Sequence, residues 1–331
     1  MTETLENITV KPLSPEDLDA VVAIDKAATG VSRRGYFEKR LMAVINFPRD
    51  YVFVGAYDGD RLDRLVGFAF AKLVSGEFGK PGACASLDAI GVEADRGMQG
   101  LGQKILDEVE AVLRRKGVSQ LTSQINWEQW PVLSFFAHAG FRMAPGIVLT
   151  RPTSELPQHL EDLPEDAMDE VDFSSPDGDA ENALSNDRVP VRSMTEDDLG
   201  RIISIDAKNT GYERSDYYAL RQEENLTHSG IRVSLVAEQD GYPVGFIMAR
   251  VDYGEFGRTS TEAVMDSIGV DPGYHGKGIG HALMAKLMSN LSALQVDSVR
   301  TEADWNDAAL VSYFSAVGFS KAQRIALSKS F

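Results

Sequence analysis

The chain has 331 residues, 43% of them hydrophobic, and carries a formal net charge of −17. That length accommodates two domains of ordinary size, each able to bury a core. The charge argues against a general nucleic-acid binder and mildly favours cationic acceptors such as amines. There is no apolar run of about 18 residues to span a membrane. Met1-Thr2-Glu3-Thr4-Leu5-Glu6 lacks the basic region and apolar core of a signal peptide. Cys84 is the only cysteine, which leaves no intrachain disulfide and no cysteine-rich metal site. A cytoplasmic protein that binds no metal, no membrane and no nucleic acid is expected.

In chain order, Ile8 to Leu13 reads as a short strand. Ser14 is an N-cap with Pro15 at the first helical position and Asp17 three residues on, opening a helix to about Ala28. A second helix spans Tyr36 to Ile45. Strands follow at Tyr51–Tyr57, Leu65–Val74 and Ala83–Val92, the first closed by the turn signal Asp58-Gly59-Asp60. Met98–Lys116 is a helix with Leu101, Ile105, Val109 and Leu113 on one face. Val118–Ile125 is a strand, Glu128–Ala139 a helix and Phe141–Thr150 a final strand. From Pro152 to Asp187 the chain has no Lys or Arg and is rich in Asp, Glu, Ser and Pro. This is the composition of a tether or of an acidic self-inhibitory arm, with room for a short helix near Glu161–Met168.

The second half repeats the first. Val189–Ser193 is a strand, and Thr195 with Asp198 forms a capping box before a helix to Lys208. Ser215–Asn225 is a helix, and Val233–Glu238, Pro243–Asp252 and Thr261–Val270 are strands. A helix from Gly276 to Leu291 places Ile279, Leu283, Leu287 and Leu291 on one face, followed by strand Val296–Ala303, helix Asp307–Val317 and a last strand from Phe319. Gly76-Glu77-Phe78-Gly79 parallels Gly254-Glu255-Phe256-Gly257. Asp88-Ala89-Ile90-Gly91-Val92 parallels Asp266-Ser267-Ile268-Gly269-Val270, Trp127 matches Trp305, and Gly140-Phe141 matches Gly318-Phe319. The period is far too long for a solenoid. The division expected is 1–151, an acidic linker 152–187, and 188–331. Each half has the α+β order of a mixed sheet flanked by helices.

The most informative stretch is Val270-Asp271-Pro272-Gly273-Tyr274-His275-Gly276-Lys277-Gly278-Ile279-Gly280. A strand, a glycine turn and a helix start make an anion cradle, because glycines admit a phosphate to the backbone and the first helical N–H groups point at it. A Walker loop needs Ser or Thr after Gly-Lys, but Gly278 stands there. A dinucleotide fingerprint needs Gly where Leu283 stands. A tight strand-to-helix turn is the remaining alternative.

This loop resembles the acetyl-CoA loop of the GNAT N-acetyltransferase superfamily, Gln/Arg-x-x-Gly-x-Gly/Ala, with His275 in the Gln/Arg place and Gly278 and Gly280 as the glycines. The order of elements in both halves is also similar to that of the family. The resemblance implies two splayed sheets, with the pantetheine arm of acetyl-CoA between Ala263–Val270 and Val296–Ala303. It implies cofactor contacts from Ile268, Gly269, Val270, Tyr274, His275, Gly276, Lys277, Gly278, Ile279, Gly280 and Asn306. The matching loop of the first half keeps Gly100 and Gly102 but has Gly97 in the Gln/Arg place, with Glu93 and Asp95 adding negative charge. This ranks the C-terminal half as the working one, with the first half a weak acetyl-CoA binder or a structural or regulatory copy.

Acetyl transfer needs a base for the ammonium proton and a donor for the leaving thiolate. Asp266, two residues before Ile268 and placed with it on one face by strand alternation, is the first candidate base, and Glu255 the second. The position where the family often carries a Tyr as the acid is Phe314; Tyr313, adjacent and about 100° away around the helix, is the candidate acid here, provided the helix is rotated or the alignment slips by one. Thr210 to Arg214, Tyr217, Tyr218 and Tyr253 to Phe256 are expected around the acceptor. Two functions follow: acetyl transfer from acetyl-CoA to a primary amine, or a non-catalytic acyl-CoA-binding regulator. The chain is expected to be a monomer with pseudo-dimeric halves or a homodimer.

Overall fold

The computed structural model describes residues 7–59, 64–75, 78, 82–96, 100–154, 189–219, 221, 233–252 and 260–331. Glu255, Tyr253 to Phe256, Gly97, most of the acidic segment and the short helix expected within it lie outside the described residues, as does the end of the helix expected from Ser215.

Two seven-stranded mixed sheets flanked by helices make an α+β protein built twice. The first half contributes β1 (Ile8–Pro12), α1 (Leu18–Thr29), α2 (Arg34–Asn46), β2 (Tyr51–Asp58), β3 (Arg64–Ser75), β4 (Ala83–Val92), α3 (Leu101–Arg115), β5 (Gln120–Asn126), α4 (Trp130–His138), β6 (Arg142–Met143) and β7 (Gly146–Pro152). The second half follows with β8 (Val191–Ser193), α5 (Leu199–Thr210), β9 (Leu235–Gln239), β10 (Tyr242–Asp252), β11 (Glu262–Val270), α6 (Ile279–Ala293), β12 (Ser298–Asp304), α7 (Ala308–Ala316), β13 (Ser320–Lys321) and β14 (Arg324–Ser330). Both expected capping boxes form: the Ser14 amide donates to Asp17 at 2.8 Å and the Thr195 amide to Asp198 at 2.8 Å. Each opens a short 3-10 turn that leads into α1 or α5. The apolar stripes drive the packing. Leu101, Ile105, Val109 and Leu113 of α3 are fully buried in one core. Ile279, Leu283, Leu287 and Leu291 of α6 are buried in the other. Each such side chain contributes about 1.5–3 kcal/mol through removal from water.

Three features depart from the sequence-based expectation. First, the last strand of each half pairs in the sheet of the other. β7 runs antiparallel to β12 from Gly146↔Asp304 to Pro152↔Ser298, and β14 runs antiparallel to β5 from Arg324↔Asn126 to Ser330↔Gln120. The strand order is β1-β2-β3-β4-β5-β14-β6 in one sheet and β13-β7-β12-β11-β10-β9-β8 in the other. Division by chain order and division by sheet therefore differ. Second, each expected final strand is two strands, broken in the first half at Ala144-Pro145. Third, α6 begins at Ile279 rather than Gly276, because Gly276 and Gly278 adopt φ of +75° and +76°, outside the right-handed helical region.

Both sheets splay where the family resemblance implies. β11 and β12 pair in parallel only over Glu262↔Ser298, Ala263↔Val299 and Val264↔Arg300, and then part. The Thr301 hydroxyl donates to the Met265 carbonyl at 2.9 Å and pins the point of divergence; Ser123 repeats this to Leu87 at 3.1 Å in the first half.

Candidate active site

The splay opens a cleft of ≈ 1150 Å³ in the second half. β11 forms one wall, with Asp266, Ile268, Gly269 and Val270 lining it. The loop and the start of α6 form the floor, through Tyr274, His275, Gly276, Gly278, Ile279, Gly280 and His281. Glu302 and Asp304 of β12 and Tyr313 and Phe314 of α7 face them. Most of the expected cofactor positions are thus brought together. Lys277 and Asn306 are not among the lining residues. Lys277 is exposed, its ammonium 4.4 Å from the centre of the Tyr274 ring, and Asn306 is exposed with its amide donating to Asp304 at 3.1 Å.

The loop geometry follows from its residues. Asp271 caps a 3-10 turn, accepting from the Gly273 amide at 3.1 Å. Gly278 in the left-handed conformation then starts α6, whose first amides have no intrahelical acceptor. A Cβ at Gly276 or Gly278 would meet nothing within 4 Å, so the space above this backbone is open. Gly280 and Gly269 serve packing instead. A Cβ on Gly280 would lie 3.2 Å from the Tyr313 hydroxyl, and one on Gly269 would lie 2.6 Å from Phe246. The Val270 carbonyl already accepts from Asn209 at 2.9 Å, and His275 Nε2 lies 3.0 Å from it.

Charge separates the two loops. Asp271 is bonded by Lys208 at 2.7 Å and Arg201 at 2.7 Å, both from α5. The Lys208 ammonium, the Gly273 amide and the Arg201 guanidinium hold its carboxyl below the usual carboxylate range. Two cations on one carboxylate, with Lys277 further along the same loop, leave the loop with an excess of positive charge. In the first half the matching carboxylate, Glu93, is bonded among the described residues by one cation, Arg64, and Arg96 is buried against Asp58 at 2.6 Å.

Asp266 is buried, and both its oxygens accept from Arg250 Nη1, at 2.8 and 2.7 Å. The expectation that it shares a face with Ile268 and Val270 fails. Met248 pairs with Ser267 and Ala249 with Met265, so Asp266 is the extra residue of a β-bulge. The bulge reverses the alternation: Ala263 and Met265 join Ile268 and Val270 in the core against α6, while Asp266 lies on the opposite face beside Arg250. Asp88 occupies the equivalent bulge in β4, within 3.0 Å of Arg40. Neighbouring Ser267 carries a buried hydroxyl oxygen with no hydrogen-bond partner, at the cleft wall; its counterpart is Ala89.

Tyr313, not Phe314, meets the loop. Its hydroxyl donates to the Gly280 carbonyl at 2.7 Å, and burial pushes its pKa up. Phe314 is buried in the core. Of the segment expected around the acceptor, Thr210, Tyr212 and Arg214 line the cleft, and Tyr217 and Tyr218 are core residues of the α5 face. Arg214 Nε donates to Asp206 at 2.8 Å, as Arg33 Nε does to Asp25 at 2.9 Å in the first half. The first half also reaches into this cleft with Phe78, Pro145 and Gly146. These went unforeseen because the strand exchange that brings two of them there is a long-range pairing. Among the described residues no group of His, Cys, Asp or Glu is arranged to hold a metal ion, and no helix is long and apolar enough to cross a membrane.

A family model described as the acetyltransferase (GNAT) family matches residues 20–141 and again residues 199–319. Among solved structures, the chain is similar to a tandem GNAT protein from the clavulanic acid biosynthesis pathway, with 15% identity over 98% of each chain and a TM-score of 0.60. It is similar to a GCN5-related N-acetyltransferase from Sphaerobacter thermophilus, with 15% identity over 98% of this chain and 96% of that one, TM-score 0.58. It also resembles a fungal multi-domain β-N-acetylglucosaminidase that contains a glucosamine N-acetyltransferase region (15% identity, TM-score 0.61); the match covers 97% of this chain but only 38% of that one. At such identities the likeness is one of fold. No curated protein matches the sequence. With two family matches in one chain, on two splayed sheets of one topology, the protein belongs to the GNAT acetyltransferase family as a tandem member.

Proposed function

We propose that the C-terminal cleft transfers an acetyl group from acetyl-CoA to a primary amine, and that the N-terminal half serves as structural scaffold. The observation that carries this reading is the open start of α6 at the mouth of the splay, after a loop whose carboxylate Asp271 is paired with two cations, set against Glu93 of the first half, paired among the described residues with Arg64. The residues fit a CoA thioester on two counts. The space over Gly276 and Gly278 is clear, and the buried Ser267 hydroxyl has an unused bond to offer.

The amides of Ile279, Gly280 and His281 would hold the diphosphate, with Arg201, Lys208 and Lys277 making the local potential more positive. The parted edge of β11 presents backbone polar groups to the pantetheine arm. Bound acetyl-CoA supplies an activated acetyl group, and the cleft holds the amine against it, which removes most of the entropy barrier to a direct attack. Asp266, fully engaged by Arg250, orders the bulge at this wall. Tyr313 keeps its proton and clamps the first turn of α6. The strand exchange supports a monomer whose halves act as a dimer within one chain; light scattering at twice the monomer mass would contradict it.

The test is thiol release from acetyl-CoA in the presence of a panel of primary amines. Turnover with at least one amine is expected. A second reading, an acyl-CoA-binding regulator, draws on the hydroxyl proton that Tyr313 has committed to Gly280. Saturable acetyl-CoA binding with no turnover across the panel would favour it.

A further inference from the structure

We infer that Glu302 is the base that takes the acceptor's ammonium proton, and that the N-terminal half holds it in place; this rests on the acetyltransferase reading above. Glu302 is the fifth residue of β12, beyond the point where β12 parts from β11, and it lines the cleft. Its Oε1 lies 3.9 Å from Arg300 Nη1 on the same strand. Its Oε1 accepts from the side-chain amide of Gln124 at 2.7 Å, a bond that crosses from β5 of the other sheet. Its Oε2 lies 3.5 Å from where a Cβ would stand on Gly146, a contact distance, so the carboxylate packs against the exchanged strand β7.

The repeat supplies the contrast. Gln124 is the fifth residue of β5 and therefore the counterpart of Glu302: one copy has an amide where the other has a carboxylate. Arg324, the first residue of β14, is the counterpart of Gly146, and its guanidinium donates to Gln124 at 3.3 Å. At this position the first half thus has an amide next to an arginine, and the second a carboxylate next to a glycine. On the neighbouring strand β11, Glu262 is bonded by Arg300 and by Arg324 of β14, each at 3.2 Å.

In the step, the ammonium loses one proton to the Glu302 carboxylate. The amine nitrogen bonds the acetyl carbon as the carbon–sulfur bond breaks. The second amine proton leaves with the sulfur as the CoA thiol, and Glu302 returns its proton to water. Gln124 is a positioning residue.

The test uses the full chain, with acetyl-CoA and putrescine, spermidine, glucosamine and a lysine-containing peptide as acceptors. Glu302→Gln keeps the shape and the bond to Gln124. It should lower kcat/KM for the acceptor by about 10²–10⁴-fold and erase the acidic limb of the pH–rate profile, with acetyl-CoA-dependent thermal stabilisation unchanged. Gln124→Leu should lower kcat by about tenfold and shift that limb to higher pH, since a bond to the charged carboxylate is lost. Full activity in Glu302→Gln with an unaltered limb overturns the assignment. If Glu302→Gln does not fold, an unshifted limb in Gln124→Leu does so in its place. Absence of wild-type turnover with every acceptor refutes the acetyltransferase reading itself, and with it this one.

Discussion

Tyr313→Phe separates a clamp from an acid. The hydroxyl is buried and donates at 2.7 Å to the carbonyl of Gly280, in the first turn of α6. That carbonyl also faces the amide one turn on, so the substitution leaves no acceptor stranded. The loss should therefore be that of one buried neutral hydrogen bond, about 1 kcal/mol. The first copy shows that the packing survives without the oxygen. Phe135, the counterpart of Tyr313, lies against Gly102 so closely that a Cβ there would come within 3.0 Å of its ring. Urea denaturation should move its midpoint by the equivalent of about 1 kcal/mol. Turnover should change by about threefold or less, since the hydroxyl proton is committed to Gly280 and burial holds the pKa up. A fall in kcat of about 10²-fold or more with unchanged stability would refute the clamp and make Tyr313 the donor to the leaving thiolate.

Asp271 gives the protein a pH-dependent stability. Its folded pKa lies below the unfolded value, so its contribution is complete above about pH 4 and fades as pH falls through the folded pKa. Asp271→Asn should cost about 1 kcal/mol at pH 7, with the difference from wild type closing in strong acid; a constant difference across the titration would contradict the assignment. The strand exchange is open to a cross-link. Thr122 and Ser328 are direct partners in the β5–β14 ladder, at a spacing a disulfide can span. The Thr122→Cys, Ser328→Cys pair should oxidise to a bond seen by peptide mass spectrometry, and recovery of only free thiols there would count against the exchange.

Local chemistry was legible in the sequence. The residues Ser14/Asp17 and Thr195/Asp198 form the capping boxes they spell, and the stripes of α3 and α6 are buried as their spacing requires. Long-range pairing was not. β7 and β14 are similar strands, and the edges of β5 and β12 offer similar ladders, so neither alternation nor composition says which edge each strand meets. The bulge at Asp266 was hidden for the same kind of reason. Period-two alternation is blind to one extra residue, and one extra residue moves the side chain to the other face. Tyr313 and Phe314 were separable only by burial: whichever ring enters the core sends its neighbour toward the loop. The pairing of Gly102 with Phe135 and of Gly280 with Tyr313 was a signal in the repeat that could have decided this. Glu302 could have been singled out by the exchange of Gln124 for Glu at matching places in the repeat, but its meaning depends on a contact between sheets.

The account stands on the second loop, and not the first, gripping the diphosphate of acetyl-CoA. Titration calorimetry of acetyl-CoA into wild type, Gly278→Glu and Gly100→Glu tests this most directly, because the two substitutions place the same charge at the same left-handed helix start in each half. Wild type and Gly100→Glu should bind at one site with similar affinity, and Gly278→Glu should show no saturable heat. Binding retained in Gly278→Glu, or lost in Gly100→Glu, would contradict it.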